Sequence, residues 1–378
     1  MRTVLRWTVA VVAVLHGLVH LVGLDRPDAV AWVLASVLMV ATGVLLAARV
    51  RTWWLVGAVA VVLSQYLVVT AWPEAAAGTV ANALVAVAVA YGLAADGPWS
   101  LPAEYRRRAR AALRGADAPA ATERLVTEAD LAALPIPVAG YLRATGTVGR
   151  PRVRGFRATI HGRIRATADE LWMPWTGEQV DTFGEHPHRY FRMDATMRGL
   201  PVAVLHTYAD GAARMRVRAA GVVPVVDQGG DILLAAETVT VLNDLCVLAP
   251  AAILDAPITW SDVRDRSVVA RYATADATVS ATLVFDDQHR LVDFVSEDRY
   301  RDRADHSGFD RVRWSTPLAD YAEFGGRRLS TRGAGRWHPD GSEPPYDYLE
   351  FHVDDIAYVP AGAQEPAVAD PMAARIGA

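Results

Sequence analysis

A chain of 378 residues leaves room for two domains, and 52% hydrophobic residues with a mean hydropathy of +0.16 is high for a purely soluble protein. The formal net charge of −4 is too small to argue for nucleic-acid binding. One cysteine, Cys246, rules out an intrachain disulfide framework and suits a reducing compartment.

The apolar excess is concentrated at the start of the chain. Residues 4–24, 28–48, 53–72 and 75–95 form four long runs almost free of charge. Each reaches the roughly 20 residues that a bilayer core requires of a helix. Arg2 and Arg6 ahead of the first run resemble the start of a secretory signal, yet "LVGLDRPD" offers no small-residue cleavage site and three further spans follow. The first segment is therefore expected to stay. Arg2, Arg6, Arg49, Arg51, Arg106, Arg107, Arg108, Arg110 and Arg114 fall on one side of the four spans, and Arg26 alone on the other. By the positive-inside rule, the N-terminus and everything after the fourth span are expected in the cytoplasm. The protein then sits in the inner (plasma) membrane, with the lipid bilayer as its first partner.

Residues 96–121, rich in Arg, Ala and Pro, are read as a basic juxtamembrane linker or amphipathic helix. "TEADLAALPIPVAGYLRATG" has helical spacing interrupted by Pro135 and Pro137, which predicts two short helices. From about residue 152 the period becomes two: "VRGFRATIHGRIRA", "VAVLHTYAD", "TVSATLVFD" and their neighbours predict ten to twelve antiparallel strands. Within them, "GGDILLAAETVTVLNDLCVLAPAAILDAP" (229–257) lacks that alternation and predicts a helix, a break at Pro250 and a further short turn. The expected fold class is α+β: a four-helix transmembrane bundle over 1–95, the basic segment 96–121, a β-rich domain over 122–360 with a helical insertion, and a disordered Ala/Pro-rich tail over 361–378. The helix must bury one side, and the concave face of a curved sheet is the natural place for it.

Several strings occur together: "HGLVHLVG", "LPIPVAGYLRATGTVG", "WMPWTGEQ", "TVTVLNDLCVLAPAAILD", "ITWSDV", "LVDFVSEDRY" and "STPLADY". With them the chain resembles a family of bacterial membrane proteins known as a domain of unknown function. The resemblance runs from the first span to about residue 359 and implies architecture rather than a reaction. In fold alone, strands on either side of a helical insertion look like the half-barrel of bacterial lipoprotein carriers.

Two histidines, His16 and His20, lie one helical turn apart in the first span. A metal site would need further ligands, and spans two to four offer no His, Cys, Asp or Glu in their apolar stretches, so no metal and no cofactor is expected. Ser36, Gln65 and Asn82 fall, like His16, roughly 10–12 Å below the outer surface at 1.5 Å per residue. A shared polar layer of His16, His20, Ser36, Gln65 and Asn82 is the economical reading, because lone polar groups in lipid are costly.

In the β-rich part, Cys246 lies among apolar residues, which suits a small buried hydrophobe; as a nucleophile it would need a base, and His206, His338 and His352 are candidates that no spacing selects. "SEDRY" places Asp298 and Arg299 near a strand end, as an ion-pair network or a grip on a ligand carboxylate or phosphate. Trp172 and Trp175 flank a proline with Gln179 beyond, closing a core or lining an apolar pocket. The functional expectation is a cytoplasmic β-rich domain that binds an apolar or amphipathic ligand, lipid among them, between the sheet and 229–257, with Trp172, Trp175, Gln179, Asn243, Asp298 and Arg299 as ligand-binding candidates. An enzyme centred on Cys246 or on Asp298/Arg299, and a membrane-tethered module that recruits a partner, are the alternatives.

Overall fold

Each apolar run becomes a helix in the computed structural model, which describes residues 3–72, 74–116, 124–303, 308–341 and 343–360. α1 is Thr3–Val19, continued by a 3₁₀ turn His20–Asp25; α2 is Ala29–Ala47, α3 Trp53–Thr70 and α4 Gly78–Asp96. Four helical segments, starting at Val4, Ala29, Trp53 and Gly78, are long and apolar enough to cross a membrane. Small residues let them approach closely. A β-carbon on Gly43 would stand 2.6 Å from the Ala10 carbonyl, so only glycine admits that contact of α1 with α2. Buried layers fill the bundle: Ala10, Leu46, Trp53 and Ala88 form one, Ala13, Met39, Ala60 and Val85 the next, and Trp32, Ala35, Leu67 and Ala71 a third.

Within the basic segment 96–121, the helical alternative holds for residues 101–116. Leu101–Ala116 is a helix, α5, with Leu101, Ala103, Tyr105 and Ala109 buried and its arginines between them. Residues 117–123, and the tail expected over 361–378, lie outside the described residues. Two short helices follow, α6 (Glu128–Leu131) and α7 (Ile136–Ala144), separated by the prolines. Thr127 caps α6 reciprocally: its hydroxyl accepts from the Asp130 amide while the Asp130 carboxylate accepts from the Thr127 amide.

The strands number sixteen among the described residues, more than the alternation predicts, because several are only three or four residues long. They are β1 (Val153–Ile164), β2 (Met173–Thr182), β3 (His188–Met197), β4 (Leu200–Ala209), β5 (Ala212–Ala219), β6 (Val223–Gly229), β7 (Ile258–Ser261), β8 (Ser267–Ala273), β9 (Thr278–Phe285), β10 (Leu291–Ser296), β11 (Tyr300–Asp302), β12 (Phe309–Arg311), β13 (Arg313–Ser315), β14 (Leu318–Phe324), β15 (Arg327–His338) and β16 (Tyr346–Pro360). Fourteen make one sheet in the order β6-β5-β4-β3-β2-β1-β16-β15-β13-β10-β9-β8-β7, with β14 beside β15; β11 and β12 pair separately. The long central pairings, β1 with β2 and β16, are antiparallel.

The edge strands β6 and β7 are consecutive in the chain, and what joins them is the insertion: α8 (Asp231–Leu248), then a 3₁₀ turn Pro250–Asp255. Gly230, at φ +100°, makes the turn into α8, a conformation that side chains with a β-carbon resist. The helix packs on β9, β10 and β15; Val239, Leu242, Leu245 and Cys246 are buried, as are Leu283 of β9 and Phe294 of β10. Its last carbonyls are satisfied by phenols: Tyr141 donates to the Cys246 carbonyl at 2.8 Å and Tyr358 to the Leu248 carbonyl at 2.7 Å.

The chain divides into two compact units. One contains residues 1–106 with the hairpin tips 196–203 and 217–225; the other holds 107–195, 204–216 and the remainder.

Candidate functional site

Alternation on β2 and β3 decides which side chains face α8. Trp175 and Gln179 share one face of β2; Arg189, Phe191 and Met193 share one face of β3. On α8, Glu237, Thr240, Asp244 and Val247 recur at spacings of three and four and form a stripe. Between them lies a cavity of about 940 Å³. Apolar side chains make most of its wall, among them Ile160, Trp175, Phe191, Trp314, Trp337 and Phe351. Exposed Ala166, Thr167 and Glu170 of the β1–β2 loop stand at its mouth.

One wall is ionic. Arg189 Nε donates to Asp244 Oδ2 at 2.7 Å, and its Nη1 to Glu237 Oε2 at 3.0 Å. Gln179 Nε2 bonds Asp244 Oδ2 at 2.7 Å and reaches Asp181 Oδ1 at 3.1 Å. Arg299 Nη1 donates to the Ala236 carbonyl and to Thr240 Oγ1, both at 2.6 Å, and stands 3.8 Å from Glu237 Oε1. The Arg299 guanidinium also lies 4.9 Å over the Trp314 ring, and His206 Nδ1 is 3.6 Å from Glu237 Oε1.

Burial alone would raise the carboxyl groups of this wall. At Glu237 it is overcome by the His206 imidazole and by the charges of Arg189 and Arg299, which hold the group below the usual carboxylate range. Burial, with the charge of Asp244, pushes Asp181 well above that range. Burial raises Asp244 as well, against the Arg189 charge that pulls it down, and Arg189 faces both Asp244 and Glu237. The wall thus offers paired donors and acceptors along one side of the cavity.

The candidates named from sequence separate. Trp175, Gln179, Asn243 and Arg299 line the cavity, and Asn243 Nδ2 donates to Thr316 Oγ1 at 3.1 Å. Trp172 does not line it; its ring stacks under Arg163 and Arg165 at 4.5 and 4.4 Å. Asp298 does not either: it accepts from the Ser280 amide at 2.8 Å and pairs with Arg311, so neighbours in "SEDRY" point to different partners. Cys246 is fully buried, and burial pushes its thiol far up, away from a thiolate. Of its three suggested bases, His206 faces Glu237, His338 Nε2 bonds Ser315 Oγ at 2.8 Å, and His352 stacks on His161.

Arg189, Glu237 and Asp181 were missed. The signal was there: Arg189 sits in register with Phe191 and Met193, and Glu237 interrupts the apolar "AAETVTVL". A charge on an otherwise buried stripe needs a partner across the core.

In the bundle, the hydrogen-bonded group is closed by Ser64 rather than Ser36. Ser64 Oγ donates to Asn82 Oδ1 at 2.8 Å, and His20 Nε2 lies 2.7 Å from Ser64 Oγ. His16 Nε2 is 3.0 Å from Asn82 Oδ1 and 3.2 Å from Ser64 Oγ. Asn82 Nδ2 donates to Gln65 Oε1 at 3.0 Å, and Gln65 Nε2 to Thr79 Oγ1 at 3.2 Å. Ser36 is buried too, but it is its backbone carbonyl that meets Gly17 of α1. Among the described residues no three His, Cys, Asp or Glu side chains gather as a metal-binding group.

Residues 124–350 match the model of a family of unknown function, DUF6544. The chain belongs to that family. No curated protein matches it. Among solved structures it is similar to a LolA superfamily protein from Nitrosomonas europaea, at 11% identity and TM-score 0.34 over 62% of this chain and 96% of the other. It is also similar to an outer membrane lipoprotein-sorting protein domain from Vibrio parahaemolyticus (11%, 0.33, 56% and 87%) and to a DUF1329 family protein from Desulfovibrio piger (11%, 0.27, 59% and 91%). At such scores the chemistry of the site has to be argued from the cavity itself.

Proposed function

We propose that the bundle spans the inner membrane with its N-terminus in the cytoplasm, and that the cytoplasmic sheet domain holds one apolar or amphipathic ligand, of the lipid class, in the cavity under α8. The observation that carries this reading is the cavity's size and two-part lining: about 940 Å³, apolar over most of its wall, with a wall of paired polar groups on one side. Ligand sites of this kind are concave and mostly apolar, with a few polar groups to fix orientation. An acyl chain fits the aromatic wall, and a polar headgroup meets Gln179, Arg299 and Asn243.

The enzyme reading finds less support. Cys246 is sealed in the core with a raised thiol, and Asp298 faces away from the group that Arg299 joins.

The test is a titration of the full chain, in dodecyl maltoside, with a pyrene-labelled fatty acid. Saturable binding of one probe per chain is expected, weakened about tenfold or more when Met193→Trp and Met215→Trp fill the cavity. Absence of saturable binding, or equal binding by the filled variant, contradicts the reading. A fusion of green fluorescent protein to the C-terminus tests the orientation: it fluoresces if the sheet domain is cytoplasmic, and a dark fusion at normal expression places the domain outside.

A further inference from the structure

The loops joining β1 to β2, β3 to β4 and β5 to β6 leave the sheet at one end. β1, β2 and β3 are antiparallel, with Ile164 opposite Met173 and Trp175 opposite Ala195. β3–β4 and β5–β6 are neighbouring strands joined by two and three residues, so their tips turn at that same end. This is also the end where Ala166, Thr167 and Glu170 stand at the cavity mouth.

These loops carry large apolar side chains in the open: Leu171 is 85% exposed, Val225 57%, Val223 54%, Leu200 48% and Met197 42%. The opposite end differs. Its loops, 183–187 and 210–211, present Gly184, Glu185, His186, Asp210 and Gly211. The two hairpin tips, residues 196–203 and 217–225, contain Arg198 and Arg218 and no carboxylate. At these two tips apolar side chains stand with arginine and no acid, which suits the boundary between anionic headgroups and acyl chains, whereas the β1–β2 loop beside them carries Asp169 and Glu170 next to Leu171.

A second observation identifies what covers this end. The tip of β5–β6 belongs to the same compact unit as the membrane-length helices, and the Tyr91 hydroxyl of α4 donates to the Ala220 carbonyl at 2.9 Å. Tyr91 stands five residues before the end of α4 at Asp96, the interfacial depth where tyrosine is favoured.

We infer that this end of the sheet docks on the bilayer surface, with Met197, Leu200, Val223 and Val225 inserted at the headgroup boundary and Leu171 beside them, so that the cavity mouth opens onto lipid. The docking stands on these residues; the route it gives a ligand, from bilayer to cavity without crossing water, rests on the ligand binding proposed above.

The experiment uses the full chain with an environment-sensitive NBD label on Leu200→Cys, Val223→Cys or Leu171→Cys, and on Glu185→Cys at the opposite end as the control. The buried Cys246 stays unlabelled, and the unsubstituted chain supplies the blank. Each is reconstituted into phosphatidylcholine–phosphatidylglycerol vesicles with and without a lipid carrying a doxyl quencher near its headgroup. Labels at positions 200 and 223 are expected to be quenched by the doxyl lipid at least about threefold more than the label at 185, with the order reversed for aqueous iodide. Should either substitution prevent folding, position 171 reads the same end. Labels as open to iodide as that at 185 overturn the proposal. Labels shielded from both quenchers overturn it too, because protein rather than lipid then covers this end. Neither outcome disturbs the pyrene titration, so the docking and the ligand site fail separately.

Discussion

Two regions of the molecule bury clusters of polar side chains, and they do so with different chemistry. In the bundle, His16, His20, Ser64, Gln65, Thr79 and Asn82 form a chain of hydrogen bonds in which the serine, threonine and amide side chains carry no charge. Under α8, guanidinium groups face carboxyl groups: Arg189 bonds both Glu237 and Asp244, and Arg299 stands 3.8 Å from Glu237. The contrast follows from what each surrounding supplies. The helices are long and apolar enough to cross a bilayer, and in the bilayer placement proposed above no counter-charge is on offer, so hydrogen bonds among largely neutral groups are the affordable way to join them. A sheet and a helix packed face to face place a guanidinium between two carboxylates, and a buried charge is tolerated once it is paired and hydrogen-bonded.

Breaking each cluster sharpens that contrast. Arg189→Met leaves Glu237 and Asp244 without their shared partner and is expected to destabilise the sheet domain by about 3–5 kcal/mol, measured by chemical unfolding of the full chain in detergent. A loss under about 1 kcal/mol would show that the wall is not held by ion pairing. In the bundle the equivalent deletion is milder. Asn82→Leu removes hydrogen bonds without stranding a charge, and about 1 kcal/mol is expected from thermal unfolding in detergent, whereas Asn82→Asp introduces an uncompensated charge and should cut accumulation in the membrane sharply. If the two variants behave alike, the network does not depend on neutrality.

Cys246→Ala tests packing alone. A loss of order 1 kcal/mol with unchanged probe binding is expected; loss of function at full stability would revive a chemical role for the thiol.

The smallest effect is set by pH. Burial lifts the Asp293 carboxyl to about 6, against the Phe294 amide and the charges of Arg336 and Arg313, which pull it down. A carboxyl whose folded value exceeds its unfolded value contributes stability fully below the ordinary range near 4, and that contribution is lost as pH rises through about 6. Asp293→Asn removes the dependence, so its Tm should gain on the parent chain between pH 4.5 and pH 7.5, a modest change read by differential scanning calorimetry. Parallel curves for the two chains would contradict the assignment.

The sequence made some of this legible and hid the rest for identifiable reasons. The spans and α8 could be read because hydropathy and the loss of two-residue alternation are local signals. The break at Pro250 was equally local. Depth beneath the membrane surface selected Ser36, yet depth says nothing about which way a helix face turns, and rotation of α3 brings in Ser64, the residue before Gln65. Asp298 and Arg299 are adjacent in sequence, but the chain leaves β10 there, and the two side chains reach Ser280 and α8 respectively. Arg189 and Glu237 are 48 residues apart, and only the helix crossing from one sheet edge to the other brings them within 3.0 Å.

The most direct measurement of the central claim is native mass spectrometry of the full chain released from detergent after purification from a bacterial membrane, followed by extraction into organic solvent. The account predicts a one-to-one adduct whose mass matches a lipid recovered in the extract, and its loss from the Met193→Trp, Met215→Trp variant. A clean mass for the bare chain, or an adduct that persists when the cavity is filled, would contradict it.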